Sequence, residues 1–597
     1  MKNGFIKNLK ENIVYYLVWI FAVIVNLKTI FVEYCSDEGY AVAMALRMVK
    51  GDKMLAQMWE PHQTSAFVMS GFIWLFQKIT GSLEGVVVDL HICGLLLYAL
   101  LAFVIIITAK KVVDKKIAGY MGLIVFALRA KMTQLPDYSN LTILFTGFLL
   151  VFLIRALITD KKIYNYILAS FFYFLSVLAY PTNLVIFIPL IILVIAFSEK
   201  NKKAINAVVT TVSALAFGGG YALFFILRSG LSDVIYVVKK VIGSDSHSSS
   251  VGYGWGFLYF REFLMGLAVI AICAGLAFLI SKALKNKVKA FSFMSCFAVL
   301  ILIAICAESI IFTEFVHIPM LGDWCLYFII IFAAIFVGIF GIKKLSKNEF
   351  ILYLSGMLIS LGTAVAVIIL TNMPFLTIFG YLHFAAAVSF IPISKLTTNS
   401  ELISEADAND NSVADRQATT KEDACANVGT SEILKHVALL IPACILVISL
   451  HQFAQYYRFF DARIDNGPRK GMIWDLAESG VWEAGYTDFQ AYIKPDDEVF
   501  ICCSDPYMLY DPLFYAFADC NISTYSTIST PPSVNMVSET LAEYWEKYPE
   551  KEPTVIVAPQ WNVNHEGFDL SQWLGEERAA EFTYKDDGVY WSFLRRK

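Results

Sequence analysis

Charge is scarce in this chain. Only 16% of its 597 residues are Asp, Glu, Lys or Arg, and 57% are hydrophobic; soluble globular chains run near ~25% charged. With a mean hydropathy of +0.61, this composition excludes an ordinary soluble globular fold. Apolar–polar alternation is missing too. The apolar runs are continuous, which excludes a β-barrel and leaves a polytopic α-helical membrane protein. Metal-type cysteine spacing is absent. The 11 cysteines are scattered without a CxxC, mostly inside apolar runs, and read as small core hydrophobes. One disulfide is left open, from the Cys502–Cys503 pair to Cys520. A net charge of -4 says nothing about nucleic acid, but there is no basic arm and no base-reading motif, so no nucleic-acid partner is expected.

What is present is a series of apolar segments of spanning length. They lie at 13–33, 86–109, 117–135, 138–159, 164–180, 183–198, 204–227, 260–281, 289–312, 323–342, 349–371, 374–394 and 434–452. Lys2, Lys7 and Lys10 before the first run resemble a signal peptide, but no small-residue cleavage site follows, so the run is expected to stay as the first span.

A further apolar stretch, 64–77, is short, and the lysines decide its status. If it does not span, the clusters at 110–116, 161–162, 199–203, 282–289 and 343–347 all share the cytoplasmic side with the N-terminus; if it spans, every cluster flips outside. The expected topology therefore has about thirteen spans, a multi-pass cell-membrane location and a cytoplasmic N-terminus. Residues 34–85 become one large outer loop with interfacial helices, 64–77 among them. The polar loop 395–433 is cytoplasmic and flexible.

Two domains are expected: a transmembrane unit over 1–452 and an extracytoplasmic soluble unit over 453–597. In the latter, 497–503, 553–559 and 588–594 read as strands, and 537–548 reads as a helix with Leu541 and Trp545 on one face. A small α/β domain follows, without a glycine-rich phosphate loop.

The chemistry gathers on the outer side. Asp37 and Glu38 open a helix of about 37–50 that is expected to lie flat on the bilayer. Its apolar stripe is Ala41, Met44, Ala45 and Met48, with Arg47 and Lys50 facing elsewhere. First-turn acids also suit the helix dipole, by ~0.3–1 kcal/mol, which is the plain structural alternative. The same loop carries "MWEPHQTSAF", with Glu60 and His62 around Pro61. "LPDYSNLT" places Asp137 and Tyr138 at the next outer turn, where Asp137 or Ser139 also suits a helix cap.

Arg129 and Lys131 lie near the outer end of the third span, as phosphate partners or as snorkelling side chains. Arg228, Lys239, Lys240 and His247 lie in the outer loop 228–258, a lid or a linker. His383 lies within a span, as a functional group or as a hydrogen-bonded core histidine. No cofactor is called for. A divalent metal stays open, although Glu308, Glu314 and His317 lack convincing ligand spacing.

The order of these features resembles the GT-C superfamily of membrane glycosyltransferases, nearest the protein O-mannosyltransferase and aminoarabinose transferase branch. The resemblance rests on the Asp-Glu pair after the first span, the following interfacial helix, the "EPH" turn, the interfacial helix ending "WLFQKITG", the basic turn after the second span and the acidic turn "PDYSN". It is best over 13–200.

The resemblance implies an inverting hexosyl or pentosyl transferase. Its donor is a polyprenyl-phosphate-linked sugar and its acceptor a cell-envelope glycan, lipid or protein. Asp37 is the implied general base on the acceptor hydroxyl, Glu38 and Glu60 are the other catalytic acids, and His62, Asp137 and Tyr138 contact substrate. Where the aminoarabinose transferases carry a lysine after the later acid, this chain has Pro61. A carboxylate at the membrane boundary stands where a lipid-borne donor meets a water-borne acceptor. The alternatives are a membrane transporter or lipid flippase, disfavoured by the missing internal repeat and the few mid-span charges, and a non-catalytic assembly protein.

Overall fold

A computed structural model describes residues 2–32, 36–60, 62–127, 134–244, 268, 271–273, 275–284, 300, 342–370, 380–392, 394–395, 461–502, 512–527, 538–563 and 569–596. The expected spans at 289–312, 323–342 and 434–452 and the loop 395–433 lie almost wholly outside these residues, as do Arg129, Lys131, His247, Glu308, Glu314 and His317.

Ten helices run in order from the start: α1 Lys2–Val32, α2 Ser36–Lys50, α3 Ala66–Thr80, α4 Val86–Ala109, α5 Lys115–Ala127, α6 Tyr138–Ile154, α7 Ile163–Ala179, α8 Phe187–Phe197, α9 Lys203–Ser229 and α10 Leu231–Ser244. Further helices cover Lys347–Leu370 and His383–Pro392. Among the described residues five segments are long and apolar enough to cross a membrane: Tyr15–Val32, Val86–Ala109, Tyr138–Thr159, Lys203–Ser229 and Lys347–Val367. This is a helical membrane protein. Leu96, Phe103, Leu215 and Leu227 stay more than half exposed, as lipid-facing side chains do.

The basic turns gather at one end of the bundle. Lys111 and Arg155 both reach Asp160, at 3.5 and 2.8 Å, and Lys161 and Lys202 both reach Glu199, at 3.5 and 2.9 Å. Phe197 touches Phe350, which brings the start of helix Lys347–Leu370 to the same end. At the opposite end Thr64 donates to the Leu178 carbonyl, and α2, α3 and the C-terminal residues assemble there.

α3 has 15 residues, or about 22 Å, too short for a ~30 Å hydrocarbon core. Both of its ends belong to that one end of the bundle. Thr64 lies just before it, and Gln77, in its last turn, donates to Asp519 at 3.2 Å. Ala66, Met69 and Ile73 are buried, while Phe67, Trp74 and Ile79 are more than half exposed. That is the pattern of a helix lying along a boundary.

The C-terminal residues form a five-stranded mixed sheet in the order β4-β3-β5-β7-β6. Its strands are β3 Glu498–Ile501, β4 Asn521–Ile522, β5 Val555–Pro559, β6 Tyr584–Asp587 and β7 Trp591–Arg595; β1 Ala462–Arg463 and β2 Ile473–Trp474 form a separate hairpin pair. β3 runs parallel to β4 and β5, and β7 runs antiparallel between β5 and β6. β3 and β5 have almost no exposed side chain, the mark of a strand covered on both faces. Helix Ser538–Lys547 covers one face through Leu541 and Trp545, and helix Leu476–Tyr492 covers the other through Phe489. The disulfide left open to Cys520 is absent. Its Sγ bonds the Tyr515 carbonyl at 3.4 Å, and Cys502 is a free buried thiol.

Two expectations fail in instructive ways. First, α2 does not lie flat on a bilayer. Residues 38–47 are all buried. One side packs on Met69, Ile73, Val86 and Leu90, and Ala43 on the other meets Phe489, Phe514 and Phe517. Gly39, Ala41, Ala43 and Ala45 keep the helix slim enough for cover on both sides. Second, the first half of the loop 228–258 is the helix α10, docked on helix Ser538–Lys547. Lys240 pairs with Glu543 at 2.9 Å, and Lys547 pairs with Asp233 at 2.9 Å.

Candidate functional site

The acids of residues 34–85 divide sharply by environment. Glu38 is 1% exposed; both of its carboxylate oxygens lie 3.1 Å from His91 Nε2 on α4. Glu60 is fully buried, accepts a hydrogen bond from the Thr527 amide and lies 3.8 Å from Arg47 Nη1. Asp37 is half-buried. Solvent therefore reaches Asp37 and not the two glutamates.

α2 ends with Gly51 in the left-handed region (φ 103°) and an Asp52 amide bond to the Arg47 carbonyl, the pattern of a Schellman stop. This turn brings Asp52 back to Arg47. Arg47 Nε donates to Asp52 at 2.7 Å, and Nη2 donates to the Gln57 carbonyl at 2.7 Å and to the Tyr544 hydroxyl at 3.3 Å. Lys551 joins Asp52 at 2.6 Å to Glu498 at 3.3 Å. Two cations and three carboxyl groups thus bolt the sheet to residues 47–60. Burial, more than any charge, raises the Glu60 carboxyl and pushes Glu498 up to about 7. Gln63 completes the loop: its Oε1 accepts from the Leu55 amide at 2.7 Å and its Nε2 donates to the Glu60 carbonyl at 2.9 Å, holding Leu55 at a φ of 56°.

The raised Glu498 carboxyl has a measurable consequence. The folded state holds this proton more tightly than the unfolded chain, whose value is near 4.5. Its contribution to stability is complete below about 4.5 and is lost as pH rises through about 7. The difference is at most about 3 kcal/mol. Between pH 5 and 8, Glu498→Gln should flatten the thermal-unfolding profile relative to the unmodified chain. Parallel profiles for the two proteins would exclude Glu498 as the titrating group.

A cluster of aromatic rings meets α2 at Tyr40, three residues along from Asp37. His62 stacks on Tyr138 with centroids 3.9 Å apart and planes 2° from parallel. Tyr180 lies 5.4 Å from His62 and 5.6 Å from Tyr138, and Tyr381 is 6.5 Å beyond Tyr180. Tyr40 meets the His62 edge at 6.5 Å. Burial above all, then Glu60, Tyr138 and, further down, Asp37, push its phenol well above the ordinary value despite a bond to the His62 main chain, so Tyr40 stays protonated. The Tyr381 hydroxyl lies 3.2 Å from Ser139 Oγ. Asp137 caps α6, accepting from the Asn140 amide at 2.8 Å, and thereby fixes Tyr138 under His62.

Of the residues singled out by sequence, the structure brings together His62 and Tyr138, with Asp137 in support, and Asp37 reaches this cluster through its charge on Tyr40. His383, fully buried, lies two residues from Tyr381. Arg228 and Lys239 are exposed on α9 and α10 and take no part in the ring cluster. Tyr40, Tyr180, Tyr381 and His91 were missed. The available signal was position: Tyr180 precedes Pro181 at a span end, and Tyr381 precedes the flagged His383. Among the described residues no three His, Cys, Asp or Glu side chains gather as metal ligands. The arrangement offers one solvent-reached carboxylate, neutral phenol donors and an imidazole stacked on an aromatic face. These groups suit proton abstraction from a hydroxyl and contact with an oxygen-rich substrate.

The sequence matches no protein-family model and no curated protein. Among solved structures the chain is similar to the archaeal oligosaccharyltransferase AglB of Archaeoglobus fulgidus, in complex with an inhibitory peptide and a dolichol-phosphate, at 13% identity and a TM-score of 0.44 over 97% of this chain and 73% of that one. An Archaeoglobus fulgidus oligosaccharyltransferase in complex with Zn and sulfate aligns at 11% identity and a TM-score of 0.44, over 96% and 72%. ArnT from Cupriavidus metallidurans, bound to undecaprenyl phosphate, aligns at 9% identity and a TM-score of 0.47 over 98% of both chains. AglB and ArnT are both GT-C superfamily membrane glycosyltransferases. Similarity at this level carries no inference about chemistry, which rests on the residues.

Proposed function

We propose that this protein is a membrane glycosyltransferase of the GT-C type. It moves a hexosyl or pentosyl unit from a polyprenyl-phosphate donor to an acceptor hydroxyl on a cell-envelope glycan, lipid or protein, with inversion at the sugar carbon. Asp37 is the general base. The observation that carries this reading is the sorting of the three acids: Glu38 and Glu60 are buried against His91 and Arg47, and Asp37 alone of the three meets solvent. The base takes the acceptor proton as the acceptor oxygen bonds to the sugar carbon; the bond from that carbon to the phosphate oxygen breaks, leaving polyprenyl phosphate. His62 is the cation-capable group in this cluster for the charge that builds on the leaving phosphate. Tyr138, Tyr180 and Tyr381 line the acceptor side.

The end of the bundle holding Asp37 faces the outside of the cell, because the lysine-rich turns at 110–116, 161–162 and 199–203 collect at the other end. Residues 453–597 form the outer soluble unit.

The test is a panel of undecaprenyl-phosphate sugars (mannose, glucose, galactose and aminoarabinose), supplied to membranes with and without the protein. Consumption of one of them, lost in Asp37→Asn, is the expected result; consumption of none sinks the reading. Orientation is tested separately. A cysteine at exposed Ser82 should react with a membrane-impermeant maleimide in intact cells, and one at exposed Lys115 should react only after lysis. The opposite pattern would invert the topology.

A further inference from the structure

Glu38 stands beside Asp37 in the sequence but points elsewhere. Successive helix residues are ~100° apart; here one carboxylate meets solvent and the next is 1% exposed against α4. Its partner, His91, is fully buried. His91 Nδ1 lies 2.9 Å from the Ile30 carbonyl of α1, and Nε2 lies 3.1 Å from both Glu38 oxygens. Both ring nitrogens thus face acceptors. The Ile30 carbonyl requires a proton on Nδ1, and the Glu38 contact requires one more proton, on Nε2 or on the carboxyl itself. A buried Glu–His pair holding this shared proton ties the end of α1, the first turn of α2 and the body of α4 to one point.

The chain's C-terminal part approaches the same point. The Gly85 and Val87 amides donate to the Gly467 and Pro468 carbonyls at 3.0 and 3.1 Å. Arg469, buried with its guanidinium 3.5 Å from the Trp482 ring centroid, is the other charge acting on His91.

We propose that Glu38 and His91 form a positioning clamp for Asp37, and that neither touches the reacting atoms. This rests on the reading of Asp37 as the base. The first turn of a helix lacks intrahelical partners for its amides and frays readily. Without the clamp Asp37 keeps its carboxylate and loses its fixed placement, and a shift of ~1 Å costs a general base about 10²-fold in rate.

Conservative and truncating variants separate this from a direct catalytic role. In Glu38→Gln the side-chain amide donates to an unprotonated His91 Nε2 while Nδ1–H keeps the Ile30 bond, so the geometry survives without charge. The measurement is kcat and KM for the undecaprenyl-phosphate sugar found by the panel, with Asp37→Asn as the inactive control. Glu38→Gln should stay within roughly threefold of the unmodified kcat, while Glu38→Ala and His91→Ala should each lose roughly 10²-fold in kcat with KM little changed. The Glu38→Ala/His91→Ala double variant should be no worse than either single one.

A Glu38→Gln protein as inactive as Asp37→Asn overturns the clamp, because Glu38 would then act on substrate directly. Alanine variants with full kcat overturn it too. If Glu38→Ala fails to fold, Glu38→Gln alone decides. If Asp37→Asn stays active, the base reading is what fails, and thermal unfolding of the two singles and the double decides the clamp: non-additive losses of Tm support it, and additive ones exclude it.

Discussion

Asp37→Asn is expected to lower kcat for sugar transfer by roughly 10²–10⁴-fold, the usual contribution of a positioned general base. The substitution keeps shape and one oxygen acceptor and removes the proton acceptor. KM for the donor should change little, because the polyprenyl chain and phosphate are bound by other groups. Stability should also change little, because Asp37 is half-buried at a helix start, where a first-turn charge is worth only ~0.3–1 kcal/mol. Initial rates at saturating and limiting donor, with a thermal-unfolding control, separate these effects. Transfer within about twofold of the unmodified rate would remove Asp37 from the reaction.

The second large effect concerns Arg47. Arg47→Ala leaves Glu60 buried without its cation, leaves Asp52 with Lys551 alone, and deprives the Gln57 carbonyl of one of its two donors. Removing one partner of a buried ion pair costs about 3–5 kcal/mol, mostly as the penalty of the charges left behind. The sheet should loosen from residues 47–60, so limited proteolysis should release fragments of 461–596 that stay protected in the unmodified protein. Adding Glu60→Gln and replacing Arg47 by Met instead of Ala should recover part of the loss, because the stranded charge is then gone. Unchanged protection in Arg47→Ala would mean that Arg47 is not the bolt.

The legible part of this fold is local. α4, α6, α7 and α9 follow from uninterrupted apolar runs, and β3, β5 and β7 from short hydrophobic segments. The lysine clusters sort their turns to one end without any coordinate. β6, "YKDD", was missed because an edge strand need bury no side chain.

Arg47 was misread for a different reason. On a helical wheel it belongs to the polar side of α2, and only the C-terminal unit, through Tyr544, 497 residues later, turns that side into an interior. Glu60 was read as catalytic because an acid beside a proline turn in a loop over the bundle suggests exposure; the Thr527 amide that occupies it is remote in sequence. The ring cluster was half legible. His62 and Tyr138 were marked individually, whereas their stacking depends on the Asp137 cap and on Tyr180 arriving from α7.

The double cover of α2 also sets a timetable for making the protein. Its inner side finds α4 within seconds of leaving the ribosome, but its outer side meets nothing until Phe489 and Phe514 have been synthesised. At ~5–20 residues per second that interval is roughly 20–90 s. Throughout it Arg47, Asp52 and Glu60 have only one another for company and stand without Tyr544, Lys551 or Thr527. During that time the nascent helix is exposed to membrane chaperones and proteases, so biogenesis should be far more sensitive than the finished enzyme to anything that delays arrival of the sheet.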